Sequence, residues 1–496
     1  MHPWRWSLNL INGTVLGQGI MFALTALGAI LLILGYRTRL MSIIVWVMVV
    51  SIQARNPFIL SGADTLLRVL LFWAMLLPLG AVWSIDSQAA AARQRVLAMR
   101  FLSFGTVGLF LQIAFMYWFT AALKTSPIWR TDGTALYYAL AAGHLTRPFG
   151  AWLRQSDLLK VLSHASLGRE VVAPFLLFLP FFTGPVRTMV AASFMAFQFG
   201  IFLMMDVGIF PWVSAFCMVC FLPGWFWDNA LPRLQRAMRV RFAFAPPLRQ
   251  LPHPTHASWS GLRAVAGGGV LGRLALSGAD GGALWPQPRS EPTLTRERSA
   301  DSPATPSLPY PRSSGPEKVR SLAVTNLFAI ACLLVVFGQN MSAVSAYALP
   351  EEARSVGYGL GLNQRWNMFA PQPPVSTVWY VVKGELQNGQ TIDLLTPIVH
   401  DDLGLVRPVS WERPDDIVGE YYRDKYWRKY FHAIVRDGNQ AELREFVAYA
   451  CRTWNAHYGG EVTLERVRIF LLSERTLPEG EVAPVRRSLV DSFTCT

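Results

Sequence analysis

The chain has 496 residues, of which 52% are hydrophobic and 16% charged, and its formal net charge is +13. Soluble domains average roughly 25% charged residues, so the charge deficit excludes an ordinary soluble protein over most of the length. The surplus of basic residues falls in short loops beside apolar runs, which argues against nucleic acid as the partner and for a lipid bilayer obeying the positive-inside rule.

Met1 is followed by His-Pro-Trp-Arg-Trp-Ser-Leu, which lacks an apolar core, so no cleavable leader is expected and the first apolar run is a retained span. A hydrocarbon core of about 30 Å takes roughly 20 helical residues. The runs that satisfy this are 14–35, 39–54, 64–84, 98–123, 170–185, 187–206, 207–226 and 321–339, about eight spans. Helix is the expected form because unpaired backbone groups in lipid cost several kcal/mol each. The second and fifth runs are short.

Gly35-Tyr36-Arg37-Thr38-Arg39, the group Arg93, Arg95 and Arg100, and the group Arg233, Arg236, Arg239 and Arg241 all read as cytoplasmic. With alternating spans the N-terminus then begins outside, a parity that one further helix ahead of Trp4-Arg5-Trp6 would restore. Residues 1–226 form the bundle. Residues 227–320 form a basic cytoplasmic insert, whose Gly267–Gly269 run and proline-rich 302–315 predict disorder, with 233–241 as a helix on the inner leaflet. Residues 321–339 cross again and place 340–496 outside the cytoplasm.

In that last part, the alternating run Val378 to Leu386, the pair Asn388-Gly389 and the run Thr391 to Leu395 predict a hairpin. Helix-period aromatics over 415–436 and 440–457 and a strand-like 462–472 complete a small α+β domain. The fold class is therefore an all-α polytopic membrane bundle with an extracytoplasmic α+β domain. Cys451 and Cys495 both fall in it, so a disulfide between them is possible in an oxidising compartment.

Lys124 follows an apolar run at the outer end of a span. It either snorkels to the interface or, if partly buried, serves as an acid–base residue. Asp64 and Arg68, four apart on one helical face, read as an ion pair or as substrate contacts, after a bend at Asn56-Pro57. Cys217-Met218-Val219-Cys220 has redox spacing but lies within a span with no basic neighbour, so packed small residues are the simpler reading. None of the eight histidines falls in a predicted span, and no metal-ligand spacing is present.

Several motifs in register resemble the HTTM (horizontally transferred transmembrane) domain, the bacterial relative of the vitamin K-dependent γ-carboxylase. They are Arg55-Asn56-Pro57, Gly62-Ala63-Asp64, Leu66-Leu67-Arg68, Trp83-Ser84-Ile85-Asp86, Lys124 with Trp129 and Gly133, Gly208-Ile209-Phe210-Pro211-Trp212, and Trp366-Asn367-Met368. The resemblance covers residues 4–226 and about 320–400. It implies a helix ahead of the Trp-Ser-Leu segment, a reduced quinone of the vitamin K type as cofactor, and Lys124 as the base that deprotonates it. Asn56, Asp64, Arg68 and Trp129 are the candidate substrate-binding residues. Two departures weigh against γ-carboxylation itself. Pro57 and Gln198 stand where the carboxylase has histidines, and neither shuttles protons.

Two functional readings follow. One is a membrane enzyme acting on a quinone, lipid or exported polypeptide at the outer face of a bacterial inner membrane. The other is a non-catalytic membrane protein serving partner binding, transport or immunity, with no protein partner identifiable. An enzyme needs a cavity around Lys124 and an activated amine there, whereas an anchor needs neither.

Overall fold

The computed structural model describes residues 4–81, 83–92, 102–241, 316–436, 439–477 and 481–495. Of the insert 227–320 expected to be largely disordered, 242–315 lies outside the described residues, whereas 231–241 is helical, as expected over 233–241, and 316–320 is helical and corrects the expected disorder. The bundle opens with α1 (Val15–Ile33), whose first turn is held by the Thr14 hydroxyl accepting from Gly17 N, and α2 (Thr38–Arg55). Both are uninterrupted apolar helices, as a bilayer solvent demands. The tight turn between them needs Gly35 in the left-handed region at φ 73, where a Cβ would strike Ser84. α3 (Gly62–Ala74) starts on a capping box between Ser61 and Asp64, and α4 (Ile85–Ala92) closes the far end of the loop that follows.

Asp86 of α4 reaches the exposed start of α2. Its carboxylate accepts from Arg37 N at 2.9 Å, Thr38 N at 2.7 Å and Thr38 Oγ1 at 2.9 Å. An anion there answers the free N–H groups of a helix N-terminus. Burial works against the ionised form, but the hydrogen bonds from Thr38 and Arg37 outweigh it and hold Asp86 below the usual carboxylate range. Stability from Asp86 is thus complete above the unfolded value and disappears as pH falls through the lower folded value. Asp86→Ala is expected to cost about 1 kcal/mol at neutral pH. The difference from the parent should shrink below pH 4, as read by thermal melting across pH. A pH-independent difference would mean that the carboxylate is not what holds the turn.

Chain order continues with α5 (Phe104–Leu123), the short α6 (Pro127–Arg130), α7 (Ala135–Ala141) and α8 (Pro148–Leu153), then α9 (Leu158–Leu176), α10 (Thr183–Met204) and α11 (Phe210–Cys217). A tight 218–221 turn and a wide 226–230 turn lead to α12 (Leu231–Arg241). The last long helix is α13 (Pro316–Val344), followed by α14 (Glu351–Gly359). Five segments are long and apolar enough to cross a membrane: α1, α2, α5, α10 and the Ala323–Val344 part of α13. The pair Phe210–Phe221 and Phe226–Arg236, bent by 95°, makes a sixth if it is one broken span.

About eight spans were expected, the second and fifth of them short, and the differences from the five or six found have local causes. The run 64–84 is helical only to Ala74, with Pro78 beyond it and a short turn at 79–81. The run 170–185 is split, because α9 ends at Leu176 and Phe182 takes a left-handed conformation at φ 49 before α10. α9 also carries Lys160, Arg169 and Glu170, which lower its hydropathy.

The bundle core joins Trp46, Phe72, Trp73, Ile113, Phe194 and Trp366. Gly108 permits this approach, since a Cβ there would enter the Trp73 ring. On the outside, Leu16, Ile33, Phe182 and Leu327 stand exposed, as residues facing lipid tails would.

The C-terminal domain contains β1 (Ser376–Leu386), β2 (Thr391–Asp393), α15 (Leu395–His400), α16 (Lys425–Arg436), α17 (Gln440–His457), β3 (Leu464–Arg475) and β4 (Arg486–Thr494). The sheet is antiparallel with order β2-β1-β3-β4, aligned at Lys383↔Asp393, Val381↔Phe470 and Phe470↔Leu489. Gly389 at φ 78 makes the β1–β2 turn, as its Asn-Gly sequence predicts. Tyr380, Val382 and Ile469 of the sheet pack on Phe431, Phe446 and Trp454 of α16 and α17. A Cys451–Cys495 disulfide ties α17 to the residue after β4.

Candidate functional site

Lys124 lies just past the last turn of α5, and its side chain is 4% exposed. It does not snorkel. Its Nζ donates to Glu170 Oε2 on α9 at 2.6 Å and sits 4.2 Å from the centre of the Trp129 ring on α6. Glu170 is 7% exposed, so both charges are removed from solvent. Such a pair is held at a desolvation cost that its own attraction does not reliably offset.

A strap of chain closes over the lysine. Trp129 Nε1 donates to Phe369 O at 2.8 Å, Ser126 N to Pro371 O at 3.3 Å, and Ser126 Oγ to Gln372 Oε1 at 2.9 Å. Arg130 Nε donates to Lys124 O at 3.0 Å and so satisfies a carbonyl at the end of α5.

Two turns below Lys124, on the same face of α5, Tyr117 Oη accepts from Gln198 Nε2 at 3.1 Å, and the Tyr117 ring lies 4.2 Å from that of Phe194. Arg169 adjoins Glu170 in sequence, and its guanidinium lies 3.2 Å from the centre of the Phe197 ring and 5.0 Å from that of Phe194. Its only hydrogen bond is a long one, Nη1 to Ser193 O at 3.5 Å, and it forms no ion pair among the described residues. Buried here without partners are Arg169 Nε and Nη2, Gln198 Oε1 and Ser214 Oγ. Native interiors pair nearly all such atoms, so a group of them needs an explanation. The charge sum is also uneven: Lys124 and Arg169 face the single carboxylate of Glu170.

Of the four predicted substrate contacts, only Trp129 meets Lys124. Asn56 Oδ1 accepts from Phe58 N at 3.1 Å and holds its own turn, with Pro57 as the first turn residue. Asp64 accepts from Ser61 N and Ser61 Oγ, each at 2.7 Å, and does not pair with Arg68. Arg68 turns to the loop after α14, donating to Gly361 O at 2.7 Å, Asn363 O at 2.7 Å and Gln53 Oε1 at 3.0 Å. Cys217 and Cys220 are unbridged thiols, and Cys217 donates to Ser214 O in the core. Among the described residues no metal-binding group is assembled.

Glu170 and Arg169 were missed by sequence reasoning, although a charged pair at the head of an apolar run is itself a signal. The C-terminal domain adds a basic roof. Phe58 packs on Tyr430 of α16, and Asp206 bridges Arg147 at 3.7 Å and Lys425 at 3.6 Å. In the 142–147 loop, burial and then the charges of Arg428, His432 and Arg413 push His144 down to about 3, so it stays neutral. No family model, no curated protein and no solved structure matches the chain.

Proposed function

We propose that the chain is a membrane enzyme of acid–base chemistry on a scaffold resembling the vitamin K-dependent γ-carboxylase superfamily. It acts on a quinone, lipid or exported polypeptide at the outer face of a bacterial inner membrane. The observation that carries this is the buried Lys124–Glu170 pair beside a surplus cation, Arg169, and unpartnered polar atoms. An ionisable cluster inside a bundle marks a reaction or transport path.

An ammonium against a carboxylate donates rather than accepts. The residue roles therefore divide: Glu170 takes a substrate proton, while Lys124 and Arg169 stabilise the anion left behind. This assigns the base to the pair rather than to Lys124 alone. A reduced quinone fits the donor set, since Phe194, Phe197 and Trp129 offer aromatic faces and the net positive charge favours its deprotonated form. Bound there, it would supply the redox chemistry. With Pro57 and Gln198 in place of the two histidines, γ-carboxylation is not proposed.

The orientation is supported by the Cys451–Cys495 disulfide, which suits an oxidising compartment, and by Arg37 and Arg39 at the opposite end of the bundle.

The test is amine labelling of Lys124 in proteoliposomes, with and without a reduced naphthoquinone. At least tenfold slower labelling with the quinol is expected, about one charge-assisted hydrogen bond. Glu170→Leu should abolish that protection. If quinol, phospholipid and polypeptide probes all leave labelling unchanged, the non-catalytic reading replaces this one.

A further inference from the structure

Two adjoining cavities lie away from Lys124, at the end of the bundle nearest the C-terminal domain. The larger, about 450 Å³, is lined by Thr65, Gln339, Arg354, Tyr358, Asn363 and Arg365 among others. The smaller, about 20 Å³, shares Tyr358 and Asn363 with it and adds Arg5 and Arg68. Among the described residues, no Asp or Glu lines either one.

Their electrostatics are one-sided. Arg68 is 6% exposed, and all its acceptors are neutral carbonyl or amide oxygens. A buried cation normally has a counter-charge. Asp64, one turn away, is committed to Ser61. Arg365, which lines the larger cavity and is exposed to solvent, forms no hydrogen bond or ion pair among the described residues. Arg354 meets Glu351 at 3.2 Å, but both are substantially exposed and such a pair is weak. Gln339, 8% exposed, lines the larger cavity, while its Oε1, which lacks a donor, is itself closed off from the cavity. Gly357 makes room for it, since a Cβ there would collide with Gln339 Nε2.

We infer that these cavities form a binding site for an anionic, phosphate-bearing ligand. Its oxyanion lies between Arg354 and Arg365, with the charges of Arg5 and Arg68 behind it. Arginine forks match phosphate geometry, and the volume lies in the range of small-ligand sites. The ligand is either an anionic phospholipid headgroup or a free glycerol phosphate. The site is independent of the Lys124–Glu170 chemistry, and its failure would leave that reading untouched.

The experiment measures binding to the full chain in detergent by native mass spectrometry. The probes are phosphatidylglycerol, phosphatidylcholine and glycerol 3-phosphate. The variants are Arg365→Gln, Arg354→Gln and, as a control outside both cavities, Arg154→Gln. Phosphatidylglycerol or glycerol 3-phosphate should bind at least tenfold tighter than phosphatidylcholine, and each cavity variant should lose about tenfold. Binding of phosphatidylglycerol alone assigns the lipid source, and competition by glycerol 3-phosphate assigns the soluble one. Equal binding of all probes, or equal loss in the Arg154→Gln control, would overturn the inference.

Discussion

Glu170→Gln is expected to destabilise the bundle by about 3–5 kcal/mol, the usual cost of leaving one partner of a buried ion pair alone. The Lys124 ammonium would keep the Trp129 ring at 4.2 Å, but a ring face cannot replace a carboxylate at 2.6 Å. Thermal melting in detergent, followed by tryptophan fluorescence, measures the loss. The double variant Lys124→Met/Glu170→Leu should recover most of it, because apolar side chains of similar volume avoid the desolvation cost. That recovery is the informative result. A bundle that tolerates two apolar residues here does not need the pair for folding, and its charges then serve chemistry. If Glu170→Gln melts within about 0.5 kcal/mol of the parent, the pair is hydrated and its catalytic argument fails.

Phe431→Ala is expected to cost the C-terminal domain about 3–5 kcal/mol. The ring has no solvent exposure, and its centre lies 4.9 Å from that of Phe446, 5.6 Å from that of Tyr380 and 6.4 Å from that of Tyr422. It joins α16 to α17 and to the sheet, so no single neighbour can collapse into the space it leaves. Chemical denaturation read by near-ultraviolet circular dichroism reports this loss. A change below 1 kcal/mol would mean that the aromatic cluster is not the centre of the domain. Tyr449 on α17, 43% exposed, is the matched control and should change little.

The parts legible in the sequence are those whose signals are local. α1 and α5 are long apolar runs, and β1, Asn388-Gly389 and β2 announce themselves by alternation and a turn dipeptide. β4 was missed because it is an edge strand, with Arg486, Arg487 and Ser488 exposed, and edges are kept polar. The break between α9 and α10 was placed at 186 instead of 177–182, although Pro180 marks that turn, because the flanking residues are apolar throughout. For the site, Lys124 and Trp129 were found and Glu170 was not. Its partner lies 46 residues away, and such a pairing is encoded in packing rather than spacing. The position of Lys124 at a helix end also misled, since the 369–372 strap covers that end.

The strand order has a consequence for how the C-terminal domain is made. β1 is eleven residues long, yet its only nearby partner, β2, covers three of them. The full-length partner is β3, which begins at Leu464, after α15, α16 and α17. A lone hairpin is marginal in water. The apolar run Trp379–Val382 must therefore wait, unpaired, until almost the whole domain has left the ribosome. Folding of this domain is a late, concerted event, and a chain cut short before β3 would leave a sticky strand without a sheet to join.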